Sequence, residues 1–141
     1  MSNAPRFFVD ATPVVGGELA LPTSVAHHAL RVLRLAEGDA IRIFNGRGGE
    51  FAARLRGNER NARAAIDAFD PVERESPLAI TLIQAMVPAD KLDWVVEKAT
   101  ELGAARLVIA VTTRSVARLS GDRLLRKIGH WRDVSIAACV Q

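Results

Sequence analysis

The sequence predicts an α/β protein with a small β-barrel at its N-terminus. Three observations lead there: short apolar segments broken by Pro and Gly fill residues 6–68, the hydrophobic period changes after Pro77, and two continuous apolar runs then flank a helical stretch. At 141 residues the chain is one domain or two small ones, against ~100–200 residues for a typical domain. The expected division is 1–73 and 74–141, at the proline-bracketed, charged linker Asp70-Pro71-Val72-Glu73-Arg74-Glu75-Ser76-Pro77.

In the first part, residues 6–9 and 18–21 are short apolar segments separated by Thr12-Pro13 and Gly16-Gly17. Thr23 is placed to cap a helix over residues 24–33, with Val25, Ala29, Val32 and Leu33 on its apolar side. Residues 40–44 alternate, with Ile41 and Ile43 on one face. Asn45-Gly46-Arg47-Gly48-Gly49 then turns the chain, and Phe51, Ala53 and Leu55 alternate on the way back. That is a hairpin pattern with a glycine-rich tip. A last strand is expected over residues 62–68.

In the second part, residues 78–86 form a nearly continuous apolar run, which suits a strand buried on both faces. Pro88 ends it and Asp90 is placed to cap a helix carrying Leu92, Val95, Val96, Ala99 and Leu102, with Gly103 at the left-handed C-terminal position. Residues 107–111 supply the second strand, so the unit is βαβ and its sheet parallel. A final helix starts near Gly121, with Leu124, Leu125, Ile128, Trp131, Ile136 and Cys139 as apolar members and no stop signal before Gln141. Two parallel strands with two helices cannot cover both sheet faces, so the second domain is expected to be incomplete as given.

Composition excludes several classes. No apolar run approaches the ~18–20 residues that span a bilayer, and the N-terminus has no basic, apolar leader pattern. One cysteine makes neither an internal disulfide nor a cysteine-rich zinc site, and no metal ligands occur at metal spacing, so a cytoplasmic, metal-free protein is expected. Neither a dinucleotide glycine fingerprint nor a phosphate-binding P-loop opens the helix of the βαβ unit. No nucleophile paired with a base is visible, so catalytic residues are not assigned.

Basic residues carry the remaining signal. The net charge is only +3, but sixteen of nineteen cations are arginine, whose planar fork suits phosphates and base edges. GC-rich coding gives the same skew. Arg31 and Arg34 stand at i, i+3 on the first helix, a spacing that serves a phosphate contact or a solvated charged face. Arg47 sits at the hairpin tip. Lys91 and Lys98 flank Trp94 near Glu97 and Glu101, which also reads as a self-compensated exposed face. Arg123, Arg126, Lys127 and His130 recur at i, i+3, i+4, i+7 with few acids between them, and Arg114 and Arg118 lie upstream. Such a stripe attracts a phosphate backbone.

Several motifs taken together carry a family resemblance. They are Pro5-Arg6-Phe7-Phe8, His28-Ala29-Leu30-Arg31-Val32-Leu33-Arg34 followed by Gly38-Asp39, Phe44-Asn45-Gly46, and Arg74-Glu75-Ser76-Pro77-Leu78. Lys91-Leu92-Asp93 with residues 97–103, Thr112-Thr113-Arg114-Ser115, and Trp131 through Ala137-Ala138-Cys139-Val140-Gln141 continue the series. In that order, over essentially the whole chain, the sequence resembles the 16S ribosomal RNA uracil-N3 methyltransferase family (RsmE).

The resemblance implies a PUA-like RNA-binding barrel over 1–73 and the N-terminal part of a SPOUT methyltransferase domain over 74–141, whose knotted remainder binds S-adenosyl-L-methionine and forms a homodimer. It implies transfer of that cofactor's methyl group to N3 of a uridine in 16S rRNA or the small ribosomal subunit. By position it makes Arg6, Arg31 and Arg34 candidates for RNA contact and Lys91, Lys98 and Arg114 candidates for positioning near the target, and Arg47, Arg123 and Lys127 join the candidate RNA contacts from the charge pattern. Thr113 departs from the acidic residue common before the Arg-Ser pair. The family's glycine-rich cofactor loop is absent, so the cofactor site is expected beyond Gln141 and none within these residues. A non-catalytic RNA-binding module is the alternative, and an unrelated α/β domain for a small anion the third.

Overall fold

The computed structural model describes residues 4–72, 76–113, 115 and 120–140. The chain divides into two compact units at Arg74/Glu75.

In the first unit, period-2 alternation builds one mixed, curled five-stranded sheet, a half-barrel, in the order β1-β3-β4-β5-β2. The strands are β1 (Arg6–Phe8), β2 (Glu18–Ala20), β3 (Ala40–Phe44), β4 (Glu50–Arg56) and β5 (Arg63–Asp70). β1 runs parallel to β3, with Phe7 opposite Ile43, and the other pairings are antiparallel. Register then puts Phe7, Ile41, Ile43, Leu55, Ala64 and Ile66 on one buried face. The sharp turn into β4 depends on Gly49, at φ +64, where a Cβ would lie 2.5 Å from the Asp70 carbonyl oxygen.

The helix over this core differs from the expectation. α1 (Thr23–His27) is only five residues long; Pro22 is its N-cap, and Thr23 is the first helical residue with no capping hydrogen bond from its side chain. A π-helical turn, His28–Val32, follows at once. Leu33 N–H accordingly donates to the His28 carbonyl, five residues back. The wider turn rotates the later side chains out of an α-helical register. Ala26 and Ala29 are buried and Val25 and Leu30 pack on the core, whereas Val32 and Leu33, expected on the apolar side, are exposed.

The second unit contains β6 (Thr81–Ala85), α2 (Ala89–Glu101), β7 (Arg106–Ala110) and α3 (Gly121–Val140). β6 and β7 pair in parallel across the α2 crossover, as the change of period predicts. Pro88 is the N-cap of α2, so Asp90 lies inside the first turn, where a carboxylate favours the positive end of the helix without capping it. The helix ends as expected: Gly103 has φ +77, its N–H donates to the Thr100 carbonyl, and the Ala104 N–H donates to Ala99. Leu102 falls just outside that last turn and is exposed.

Leu92 and Val96 of α2, Trp131 of α3 and Met86 form the buried core, with Leu107 and Ile109 packed against it. Both helices therefore cover the same sheet face. The opposite face carries Ile83, 69% exposed, and the flanking Leu78 and Ile80 are exposed too. That uncovered apolar face is what the expectation of an incomplete second domain implies. Leu125 and Ile128, assigned to the apolar side of α3, are likewise exposed.

Candidate nucleic-acid interface

The half-barrel neutralises most of its own arginines. Arg6 Nη2 lies 2.7 Å from Glu50 Oε1, and its guanidinium stacks 4.8 Å above the Phe44 ring. Arg42 Nη1 donates to the second Glu50 oxygen at 3.1 Å. Glu50 is the buried charged residue of the half-barrel, and burial of a carboxylate requires such partners. Arg47 is tied back across its hairpin: Nη1 donates to Thr12 Oγ1 at 2.9 Å, and Nη2 stands 3.6 Å from Asp10. Arg31 Nε donates to Glu59 Oε2 at 2.8 Å, while Glu59 Oε1 lies 3.2 Å from His27 Nδ1. Those two contacts, Arg31 first, hold the Glu59 carboxyl below its ordinary pKa.

Arg31 and Arg34 do not share a helical face. The helix closes before Arg34, which takes φ +56, a left-handed conformation that no other described non-glycine residue adopts. Arg34 has no ion-pair partner among the described residues.

On α2, Lys98 Nζ donates to Glu97 at 2.9 Å and to Glu101 at 2.9 Å. The two carboxylates, Glu101 foremost, raise the Lys98 pKa, so this lysine is a compensated surface charge. Lys91 is exposed and makes no ion pair among the described residues. Arg114, with Arg118, lies outside the described residues.

α3 is different. Its turns bring Arg123, Arg126, Lys127 and His130 around one open groove of about 400 Å³. Among the described residues, Arg123, Arg126 and Lys127 have no ion-pair partner. The spacing expected from the sequence is thus realised as one helix face that carries three cations beside His130.

One residue that sequence spacing missed sets this face in place. Asp93 of α2 accepts a hydrogen bond from Trp131 Nε1 at 3.1 Å, and its other oxygen lies 2.8 Å from His130 Nε2. Partial burial pushes the Asp93 carboxyl up, but the hydrogen bonds from His130 and Trp131 and the charges of His130 and Lys127 outweigh it and hold the pKa below its ordinary value. Asp93 is 37 positions from His130, and no local pattern links them.

Among the described residues, the cavity against α3 does not fit S-adenosylmethionine. The cavity of about 510 Å³ against α3 is lined by Met86, Leu107, Ile109 and Trp131 among other apolar groups, and its polar lining is limited to Arg132 and Ser135. A sulfonium cofactor with a carboxylate, an ammonium and a ribose needs more donors and acceptors than that. Among the described residues no cluster of side chains can hold a metal, and no helix is long and apolar enough to cross a membrane.

The half-barrel and the parallel βαβ unit with its cationic helix face each match a known family. Residues 21–67 match the RNA methyltransferase PUA domain family, and residues 74–141 match the RNA methyltransferase domain family. Ribosomal RNA small subunit methyltransferase E of Bacillus subtilis is 26% identical over 140 residues, covering 96% of this chain and 55% of the relative. The protein of the same name from Synechocystis is 27% identical, covering 98% of this chain and 44% of the relative. Among solved structures, ribosomal RNA small subunit methyltransferase E from Neisseria gonorrhoeae bound to S-adenosyl methionine is 35% identical with a TM-score of 0.91, over 99% of this chain and 57% of that one. A putative methyltransferase from Legionella pneumophila, with bound cofactor SAM, is 28% identical with a TM-score of 0.92, over 99% of this chain and 58% of that one. The chain belongs to this ribosomal RNA small subunit methyltransferase E family, and it spans about half the length of the curated relatives it matches.

Proposed function

We propose that this chain is the RNA-gripping portion of an S-adenosylmethionine-dependent methyltransferase acting on N3 of a uridine in 16S ribosomal RNA. The observation that carries this reading is the groove on α3, where Arg123, Arg126 and Lys127 stand without ion-pair partners among the described residues beside His130. Residues 1–73 then serve as the PUA-like RNA-binding domain, and residues 74–141 as the first part of a SPOUT domain. The cofactor site, and the homodimer interface of the complete cytoplasmic enzyme, are assigned to the part of the relatives' length that this chain does not span. That assignment agrees with the apolar lining of the cavity against α3.

The chemistry fits such a division. Uracil N3 carries a weakly acidic proton that must leave before the nitrogen becomes a nucleophile, and in duplex RNA that atom is paired. A protein that presents it must hold an unpaired base by its flanking backbone. The cations of α3 supply phosphate contacts and orient the strand; the proton-accepting group is not among the side chains assigned here.

The test is binding of a fluorescent rRNA hairpin with an unpaired uridine, followed by anisotropy across a salt series. Replacing Arg123, Arg126 and Lys127 together by Gln is expected to weaken binding by about 10- to 100-fold and to flatten the log–log salt dependence by about two units, since each lost single-strand phosphate contact removes ~0.7. Unchanged affinity and slope in that variant would falsify the assignment of the groove.

A further inference from the structure

We propose that Asp93 and His130 form a carboxylate–imidazole dyad, and that its open nitrogen, His130 Nδ1, takes the N3 proton of a uridine held at the α3 groove. This rests on the RNA reading above and supplies the proton acceptor that reading leaves unassigned.

The carboxylate is anchored from the core. Asp93 Oδ1 accepts from Nε1 of the buried Trp131 at 3.1 Å, which leaves Oδ2 to meet His130 Nε2 at 2.8 Å. Two bonds to consecutive residues of α3 fix the orientation of the carboxylate, so it can hold the imidazole in turn. The same hydrogen bonds favour the ionised form of Asp93, and that settles the tautomer of the histidine. An ionised carboxylate only accepts, so Nε2 carries the proton, and in the neutral ring Nδ1 then holds a lone pair. Nδ1 has no hydrogen-bond partner among the described residues. An imidazole held through its far nitrogen in this way can accept a proton, and the carboxylate steadies the cation that results.

The surroundings suit uracil N3. Lys127, Arg126 and Arg123 stand three, four and seven positions before His130 and line the same groove. As the N3–H bond breaks and the Nδ1–H bond forms, negative charge spreads from N3 onto the two ring carbonyl oxygens, and positive charge appears on the imidazole. Asp93, from α2, faces the positive charge; the three cations of α3 face the negative one and the flanking phosphates. The electron pair left on N3 makes that nitrogen a nucleophile. At about 400 Å³ and open to solvent, the groove admits a base that has left its stack.

The pair on the half-barrel, His27 with Glu59, is built differently. The second oxygen of Glu59 meets Arg31, an exposed cation, where that of Asp93 meets a buried indole. In this scheme His130 is the catalytic residue and Asp93 a positioning residue.

The test uses the full 141-residue chain saturated with an oligocytidylate that carries one central uridine labelled with nitrogen-15 at N3. NMR reads the exchange of the N3 proton with water, a step that needs no methyl donor. Exchange is expected to be about 10- to 100-fold faster in the wild-type complex than in His130→Gln, since a positioned general base contributes ~100-fold or more. Asp93→Asn is expected to fall between the two. The imidazole nitrogen shifts of the free wild type report the tautomer without any variant, and the Nε2–H form is expected, giving way to a mixture in Asp93→Asn. Equal exchange in the wild-type and His130→Gln complexes, or an Nδ1–H tautomer in the wild type, overturns the dyad while the RNA groove stands. Failure of the wild type to bind the oligonucleotide overturns both.

Discussion

The half-barrel and α3 both carry several cations and use them in opposite ways. On the half-barrel, Arg6 and Arg42 converge on Glu50, Arg47 folds back on Asp10 and Thr12, Arg54 meets Asp67 and Arg63 meets Glu18. On α3, Arg123, Arg126 and Lys127 face one groove with no ion-pair partner among the described residues. The difference follows from geometry. Antiparallel strands place residues of distant sequence opposite each other, so a cation meets a cross-strand acid. On α3 the i, i+3 and i, i+4 spacing sets Arg123, Arg126 and Lys127 beside one another, and the acid that α2 brings to this face, Asp93, bonds His130 instead. Counting arginines in a sequence therefore says little about an anion site; what matters is which of them the fold leaves uncompensated.

The sharpest way to break this contrast is at Glu50. Glu50→Ala removes the buried carboxylate that Arg6 and Arg42 share; because both guanidiniums reach solvent and Arg42 keeps Asp70 at 3.9 Å, about 2 kcal/mol of stability is expected to be lost in urea denaturation. Arg126→Ala, the counterpart on α3, is expected to leave the urea midpoint in place.

Gly49→Ala tests the turn that brings Glu50 to its arginines. An added Cβ meets the Asp70 carbonyl at 2.5 Å and the Phe69 ring at 2.8 Å at a positive φ, so about 2 kcal/mol is expected to be lost, with the same denaturation assay as readout.

Asp93→Asn sharpens the other side. It keeps an acceptor for Trp131 but removes the charge beside His130 and Lys127, and the expected loss at neutral pH, discounted for solvent screening, is about 1 kcal/mol or less. The pH dependence has a fixed sign. Because the folded pKa of Asp93 is lowered, its contribution is complete above the ordinary carboxylate value of about 3.9 and is lost as pH falls below it. Acid titration of the melting midpoint is expected to show a shallower acid limb in the variant.

The smallest effect belongs to Lys98→Ala. Its partners, half-buried Glu97 and exposed Glu101, are neighbours on the same helix at the surface, and the melting midpoint is expected to stay within experimental error.

Much of this arrangement is legible from residues alone. The strands over 40–44 and 50–56 follow from alternation around a glycine-rich turn, and the C-terminus of α2 from Gly103. The stripe on α3 needs only helical spacing. By contrast, the five-residue α1 and its π-helical continuation contain no residue that announces them; the tight packing of Ala26 and Ala29 against the sheet accompanies the change, and it moves Val32, Leu33 and Arg34 away from their expected places. The apolar run over 78–86 announces burial on both sides, yet both helices pack on one face and Ile83 is left exposed.

What the sequence by itself determined is the order of elements, their type and the family, because periodicity, turn residues and ordered motifs act over a few neighbouring positions. Only the tertiary structure decided which charges cancel: Glu50 with Arg6, Glu59 with Arg31 and Asp93 with His130 join residues 44, 28 and 37 positions apart. Ion pairing depends on distance in space with a reach of a few ångströms, and no local pattern encodes which distant side chains the fold brings within it.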